Sequence, residues 1–215
     1  IAVFSFNNPA GRYNFTWEGC TLDHWKDRFA IEEPTDAMIT SIELAAVATL
    51  ISTALGVLVA MALVRYEFFG RKTSNLLIVI PTATPEVVIG AALLSMFLLP
   101  PFVNFISLGF QSLVIAHVMF SISFVVIVVR SRLIGFDRSL EEAARDLGAG
   151  AFTTFRTVTL PLLMPGIIAA ALLAFALSID DFVISNFNSA TTVTFPLYIF
   201  GAQLRGIPVQ VNVLA

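Results

Sequence analysis

Four acidic residues lie within or at the end of long apolar stretches of this 215-residue sequence: Glu43, Glu86, Asp180 and Asp181. A charged side chain at the centre of a lipid bilayer costs about 2.5–3.5 kcal/mol on an insertion scale, so such residues are candidates for function. Carboxylates that face a water-filled path attract cations by Coulomb forces, more strongly than in bulk water. The four residues are therefore candidates for lining a substrate path that favours a cationic solute.

Each of these acids also has a structural interpretation. Glu43 lies near the end of its apolar stretch and can reach the membrane surface, whereas Asp180 and Asp181 can cap a following helix, which contributes about 1 kcal/mol. Glu86 follows the segment P-T-A-T-P at 81–85, whose two prolines remove helical hydrogen bonds and predict a kink or break. Such a break either lines a water-filled cavity or serves helix packing alone.

The remaining reactive side chains do not form a catalytic set. The sequence lacks the phosphate-binding pattern G-x-x-x-x-G-K-[ST] and the H-E-x-x-H and G-x-S-x-G patterns of hydrolases. The acids are isolated rather than spaced as metal ligands, and Cys20 is the one cysteine. His117, inside an apolar stretch, is best interpreted as a packed, hydrogen-bonded histidine. We therefore expect a chain that is not an enzyme and binds no metal or cofactor.

The composition indicates that these residues are positioned by membrane-spanning helices. Hydrophobic residues make up 57% of the chain and charged residues 13%, with a mean hydropathy of +0.88. Crossing a bilayer takes about 20 apolar residues. A net charge of −3 with scattered basic residues excludes nucleic-acid binding. We expect one all-α membrane domain, with complete spans at 37–64, 76–99, 111–129 and 160–179.

The distribution of basic residues predicts which loops face the cytoplasm. Eight of the twelve Lys and Arg residues fall in 65–72 and 130–159, which the positive-inside rule places inside. Residues 7–36 and 180–210 are then an outer loop and an outer segment. We interpret 1–6 as the end of a first helix and 211–215 as the start of a last one. The full subunit is expected to have six spans, four of them complete in this chain and two truncated.

The cytoplasmic loop at 130–159 has the signature of a short helix. Ser139 and Glu142 are spaced as an S-x-x-E capping box, which predicts a helix over residues 140–148. Gly148 supplies a residue that adopts positive φ, a common helix stop. With two small alanines and mixed charges, this helix is suited to insertion into a groove of another protein rather than to burial in lipid.

The same loop resembles a known family. Glu142-Ala143-Ala144, three residues, Gly148, nine residues and then V-T-L-P at 158–161 reproduce the E-A-A-x3-G-x9-[I/V]-x-L-P pattern of permeases in binding-protein-dependent ABC importers. The resemblance implies the type I ABC importer permease fold. It also implies that residues 140–148 dock into an ATP-hydrolysing subunit. The coupling residues implied are Glu142, Ala143, Ala144, Gly148, Leu160 and Pro161.

Further stretches resemble the spermidine and putrescine branch of that family. They are S-F-N at 5–7, R-Y-E-F-F-G at 65–70, R-L-I-G-F-D at 132–137 and L-S-I-D-D at 177–181. This branch implies a polyamine solute. Permeases for iron, thiamine, phosphonate or molybdate share much of the framework, and a scaffold or receptor whose loop helix docks another partner is a non-transport alternative.

The family resemblance also implies an assembly in the inner, or plasma, membrane of a prokaryote, where this chain would cross the lipid several times. A second permease subunit, related but different, would complete the path. Two copies of a cytoplasmic ATPase would use ATP and Mg, and an extracytoplasmic binding protein would deliver the solute.

Overall fold

Long apolar stretches form α-helices here because a helix satisfies its own backbone hydrogen bonds, as a lipid environment requires. The computed structural model describes residues 3–9, 14, 16–26, 32–203 and 209–214. Its α-helices are α1 (Asp23–Lys26), α2 (Glu32–Arg65), α3 (Arg71–Ala83), α4 (Glu86–Leu98), α5 (Phe110–Ile134), α6 (Ser139–Asp146), α7 (Ala151–Thr154), α8 (Leu160–Ile179), α9 (Val183–Asn188), α10 (Phe195–Gln203) and α11 (Val209–Leu214). A π-helical turn at Phe155–Thr159 joins α7 to α8. Two 3-10 turns lie at Phe4–Phe6 and Phe102–Asn104.

Three helices of the described residues are long and apolar enough to cross a membrane: Glu32–Arg65, Phe110–Ile134 and the continuous helical segment Ala151–Ile179. The three pack against one another around a core that includes Leu63, Val125 and Leu163. Gly56 lets α2 approach α5 closely, because a Cβ there would lie 2.5 Å from Cγ1 of Val125. Small residues at such crossings are typical of membrane helices.

A fourth span is formed only if α3 and α4 are counted together, because the chain bends by 113° between the two helices. The sequence predicted one span at 76–99 with a kink or break. The structure shows a break at Pro85, with Thr84 extended, as expected for a residue before proline. Pro81 lies inside α3 without ending it. The predicted count of six spans in the full subunit stays a prediction.

Two of the spans are longer than the apolar stretches from which they were predicted. Helix α2 begins at Glu32 rather than at residue 37, because acidic residues and a proline are favourable in the first turn of a helix. Helix α5 continues past residue 129 to Ile134. Arg130 is accommodated there by donating a hydrogen bond to Oδ1 of Asn75 at 2.8 Å, and the stem of Arg132 packs over Gly166.

The loop predicted to be cytoplasmic, 130–159, is correspondingly shorter, since α5 extends to Ile134 and α7 begins at Ala151. Helix α6 is eight residues long and ends at Asp146. The predicted capping box is wrong: Ser139 is already the first helical residue, and its backbone N–H donates to Oδ1 of Asp137 at 3.0 Å. Gly148 has a φ of +86°, as predicted for the residue that ends the helix.

The segments near the two ends of the chain contain short helices. The expected outer loop at 7–36 contains α1 and the start of α2, and the outer segment at 180–210 contains α9 and α10. Helix α11 begins at Val209 and packs against α1 and the 3-10 turn Phe4–Phe6. Parts of the predictions for 1–6, 7–36, 180–210 and 211–215 fall on positions 1–2, 10–13, 15, 27–31, 204–208 and 215, which lie outside the described residues.

Candidate functional site

Three of the four candidate path residues line one cavity of ≈ 410 Å³. Glu86 comes from the first turn of α4, immediately after the break at Pro85, and Asp180 and Asp181 follow the last residue of α8. The break between α3 and α4 thus places one carboxylate opposite the point where α8 ends. The rest of the lining is mainly apolar: Leu173, Ala176, Leu177, Phe182 and Val183.

Glu43 lies elsewhere, on an exposed face of α2, and is not among the residues that line this cavity. Its neighbour Leu44 is buried, so the helix directs the two side chains to different sides. The interpretation of Glu43 as a residue that reaches the membrane surface agrees with this exposure, and its place on a substrate path stays a prediction.

Asp181 lines the cavity and also caps the start of α9. Its side chain is buried, and its carboxylate accepts hydrogen bonds from the backbone N–H groups of Ile184 at 3.3 Å and Ser185 at 2.8 Å. These are N–H groups in the first turn of α9, which have no partner inside the helix. The capping interpretation is therefore confirmed for Asp181. Asp180, in contrast, is exposed.

A buried polar cluster lies beside Asp181. Nδ1 of His117 hydrogen-bonds with the Ser178 hydroxyl at 2.7 Å, and Nε2 with the Ser185 hydroxyl at 3.1 Å. His117 is therefore the packed, hydrogen-bonded histidine that the sequence indicated. The sequence analysis missed the two serines, although Ser178 lies in the L-S-I-D-D stretch. The cluster joins α5, α8 and α9. Asn188, also on α9, donates separately to the carbonyl of Gly90 on α4 at 3.3 Å.

A second cavity, of ≈ 600 Å³, is also lined by Asp180. Phe182 and Phe200 meet in it with ring centroids 4.7 Å apart, and Phe195 and Met38 add apolar surface. The backbone N–H of Phe195 donates to the Ser41 hydroxyl at 2.8 Å, which fixes α10 against α2. Asp180 therefore borders both a carboxylate-lined cavity and an aromatic one.

The predicted coupling residues lie near the start of α8, at the opposite end of this helix from Asp180, and most of them are exposed. Glu142, Ala143 and Gly148 are exposed, and Leu147 is 90% exposed. Ala144 and Leu160 are half-buried, and Pro161 is exposed at the start of α8. The arrangement leaves one face of α6 free to contact another protein.

The opposite side of α6 carries a residue that the sequence analysis missed. Glu141 is buried and accepts two hydrogen bonds from the guanidinium of Arg65, at 2.5 and 2.6 Å. The Thr159 hydroxyl donates a third. The Arg65 hydrogen bonds hold the pKa of the Glu141 carboxyl below its usual range, Thr159 acts in the same direction, and burial opposes them. Adjacent helical residues point about 100° apart, so Glu141 and Glu142 do not share a face, but no local pattern indicates which of the two is buried.

Metal binding finds no support in the described part of the chain, where no group of three or more His, Cys, Asp and Glu side chains is placed to hold an ion. Cys20 is exposed and unpaired with any other cysteine.

Comparison with solved structures identifies the fold. A chain of a bacterial ABC transporter involved in the import of the acidic polysaccharide alginate superposes with a TM-score of 0.70 at 16% identity, covering 98% of this chain and 81% of the other. A chain of the MetNI methionine ABC transporter gives a TM-score of 0.68 at 17% identity, covering 86% and 88%. The all-α ABC importer permease fold expected from the sequence is confirmed.

Sequence comparison identifies the family. The chain is 38% identical over its full length to the spermidine/putrescine transport system permease protein PotC of Haemophilus influenzae, of which it covers 82%. It is 36% identical to PotC of Escherichia coli and 34% identical to the putrescine transport system permease protein PotI of the same species, covering 80% and 77% of them. Residues 52–203 match the family described as the inner membrane component of binding-protein-dependent transport systems. This chain belongs to that family and is an inner-membrane permease of an ABC importer.

Proposed function

We propose that this chain forms part of the path for a polyamine, spermidine or putrescine. The observation that carries the proposal is the cavity in which Glu86, Asp180 and Asp181 converge. A polyamine carries several ammonium groups joined by apolar methylene segments. Carboxylates interspersed with leucine and phenylalanine side chains complement both parts of such a molecule. The names of the similar permeases point to the same solutes.

The aromatic cavity beside Asp180 supports the proposal. Phe182 and Phe200 offer ring faces, and a cation over such a face is stabilised by about 0.5–2 kcal/mol. Moderate attraction suits transport, because a path must release what it binds. In the second cavity a cationic solute meets one of these carboxylates, Asp180, among apolar and aromatic side chains, so the attraction there is weaker. Anionic solutes such as phosphonate or molybdate are repelled by the same carboxylates.

The transport cycle needs partners that this chain does not supply. ATP and Mg are used by two copies of a cytoplasmic ATPase, into which α6 docks with Glu142, Ala143, Ala144 and Gly148. Leu160 and Pro161 lead from this contact into α8. A second permease, related but different, completes the path, and an extracytoplasmic binding protein delivers the solute. The chain itself catalyses no reaction and binds no cofactor.

Uptake of labelled spermidine by proteoliposomes that contain the complete complex tests the proposal. Glu86→Gln preserves the size and polarity of the side chain, so we expect uptake to fall several-fold while the complex assembles normally. Glu33→Gln is the matched control, since Glu33 is exposed in the first turn of α2 and lies outside the cavity. Uptake at the parental rate with Glu86→Gln would contradict a role for the cavity.

Competition identifies the solute in the same preparation. An excess of unlabelled putrescine should reduce spermidine uptake, whereas thiamine, iron, phosphonate and molybdate should not. If one of these reduces uptake and putrescine does not, the importer carries that solute instead. Glu43→Gln in the same assay decides whether this residue, outside the cavity, contributes to the path.

A further inference from the structure

Three segments that are distant in sequence meet at the carboxylate of Glu141. Arg65 is the last residue of α2, Glu141 lies in the first turn of α6, and Thr159 ends the π-helical turn before α8. The two guanidinium hydrogen bonds are 2.5 and 2.6 Å long, and the Thr159 hydroxyl donates to the same carboxylate. We call Arg65, Glu141 and Thr159 the α6 joint.

The α6 joint holds α6 in place almost without apolar packing. Among the residues of α6, all of which the structure describes, Glu141 is the one that is buried. Its side chain is 6% exposed and that of Arg65 is 20% exposed. Apolar contacts permit sliding, whereas a two-point hydrogen bond between a guanidinium and a carboxylate fixes direction as well as distance. The orientation of α6 relative to α2 therefore depends on this pair.

The backbone between α7 and α8 is shaped so that Thr159 reaches the joint. The backbone N–H of Leu160 donates to the carbonyl of Phe155, five residues back, which defines a wide turn. Pro161 has no N–H to donate and its ring crowds the preceding turn, which favours such a widening. Turns of this kind often occur at functional sites. Thr159 is 2% exposed, so its hydroxyl lies in the interior of the fold, where the carboxylate of Glu141 is its hydrogen-bond partner.

We infer that Glu141 is a positioning residue for energy coupling: through Arg65 and Thr159 it ties α6 to α2 and α8, so that a displacement of α6 moves both spans together. The inference rests on the proposed docking of α6 into an ATPase. The docking face and the joint lie on different sides of α6, because Ala143 and Leu147 are exposed while Glu141 is buried. A force on the exposed face is then transmitted through the joint to α8, which ends at Ile179, next to Asp180 in the proposed path.

The test compares substitutions at Thr159 in the complete complex in proteoliposomes. Thr159→Val removes the hydroxyl and keeps the shape, whereas Thr159→Ser keeps the hydroxyl. We expect the amount of spermidine transported per ATP hydrolysed to fall at least fivefold with valine and to stay within twofold of the parent with serine. Glu141→Gln should lower the same ratio further. Asp23→Asn is the control, because Asp23 forms an exposed ion pair with Lys26.

A spectroscopic measurement separates positioning from a general loss of stability. Spin labels are attached at Leu147→Cys and Phe69→Cys, both highly exposed positions, after Cys20→Ser. We expect a narrow distribution of distances in the parent and a broader one with Thr159→Val, while the melting temperature of the complex changes little. If Thr159→Val leaves both the distance distribution and the ratio of spermidine transported to ATP hydrolysed at their parental values, the inference is overturned. This result is decisive even if the complex with Glu141→Gln fails to assemble.

A cross-link distinguishes this inference from the proposed function on which it rests. Ala143→Cys in the otherwise parental complex should cross-link to the ATPase. If that cross-link is absent, the proposal that α6 docks into the ATPase is refuted, and the inference that rests on it is refuted as well. A cross-link together with a parental spermidine-to-ATP ratio in Thr159→Val and Glu141→Gln overturns the inference alone.

Discussion

Nε2 of His117 lies 3.5 Å from Oδ2 of Asp181, in an interior site where both side chains are at most 4% exposed. His117 lies about two turns into α5, while Asp181 caps the start of α9. The same imidazole also contacts the hydroxyls of Ser178 and Ser185. One side chain of a spanning helix thus fixes the point where α8 ends and α9 begins, beside the carboxylate-lined cavity.

Replacing His117 should therefore weaken the attachment of α9 to α5 and to the end of α8. His117→Phe keeps an aromatic ring but removes both nitrogen atoms, and each buried hydroxyl left unpaired costs about 1–3 kcal/mol. We expect a lower melting temperature for the purified complex and slower spermidine uptake. Met119→Leu on the same helix, at a position that is 45% exposed, should leave both unchanged. Equal melting temperatures for the His117→Phe variant and the parent would show that the cluster does not hold α9.

Gly148 and Gly150 offer a matched test of the turn that ends α6. A Cβ at either glycine would meet nothing within 4 Å, but Gly148 has a φ of +86° and Gly150 a φ of −68°. Positive φ is strongly disfavoured for β-branched residues. Gly148→Val should therefore reduce uptake while membrane insertion stays normal, and Gly150→Val should not. Equal uptake by the two variants would contradict the requirement for this turn.

The close approach of α2 and α5 predicts a packing defect at Gly56. A Cβ there would lie 2.5 Å from Cγ1 of Val125, so Gly56→Ala should destabilise the fold by about 1–3 kcal/mol through overpacking. Adding Val125→Ala should recover part of the loss. Gly201→Ala, where the new Cβ meets nothing within 4 Å, is the control, and the melting temperature is the measurement. A Gly56→Ala variant as stable as the control would rule out the tight crossing.

The distribution of basic residues predicts opposite sides for the loops at 7–36 and 130–159. Cys20 is exposed in the first loop and should react with a membrane-impermeant maleimide added outside intact cells. Phe152→Cys, at an exposed position in the second loop and in a variant that also carries Cys20→Ser, should react only after the membrane is opened. Labelling of both positions from outside would refute the topology.

The lowered pKa of Glu141 predicts how the α6 joint responds to acid. Folding favours the ionised carboxylate, so its contribution to stability is fully present above the unfolded-state pKa of about 4.3 and is lost as the pH falls further, through the folded-state pKa. The distance distribution between labels at Leu147→Cys and Phe69→Cys should broaden below that pH. With Glu141→Gln, it should be broad throughout and insensitive to this titration. A parental distribution that stays narrow well below that pH would exclude ionic control of the joint.

The sequence by itself determined the features that depend on neighbouring residues. Long apolar stretches predict spanning helices because lipid requires an internally bonded backbone, and Pro85 predicts a break because its ring excludes the helical conformation before it. The E-A-A pattern with Gly148 indicated the family, which the match over residues 52–203 confirmed. The ends of α2 and α5 were missed because charged side chains can stay in a helix whose end reaches the membrane surface.

Only the tertiary structure decided which distant residues meet. Arg65 and Glu141 are separated by 76 positions, and no local pattern distinguishes Glu141 from its neighbour Glu142 as the buried one. Glu86 shares a cavity with Asp180 and Asp181 because of the angle between α3 and α4, while Glu43 is exposed on another helix. A sequence specifies the direction of each side chain around its own helix, but the packing of the helices sets which of those directions converge.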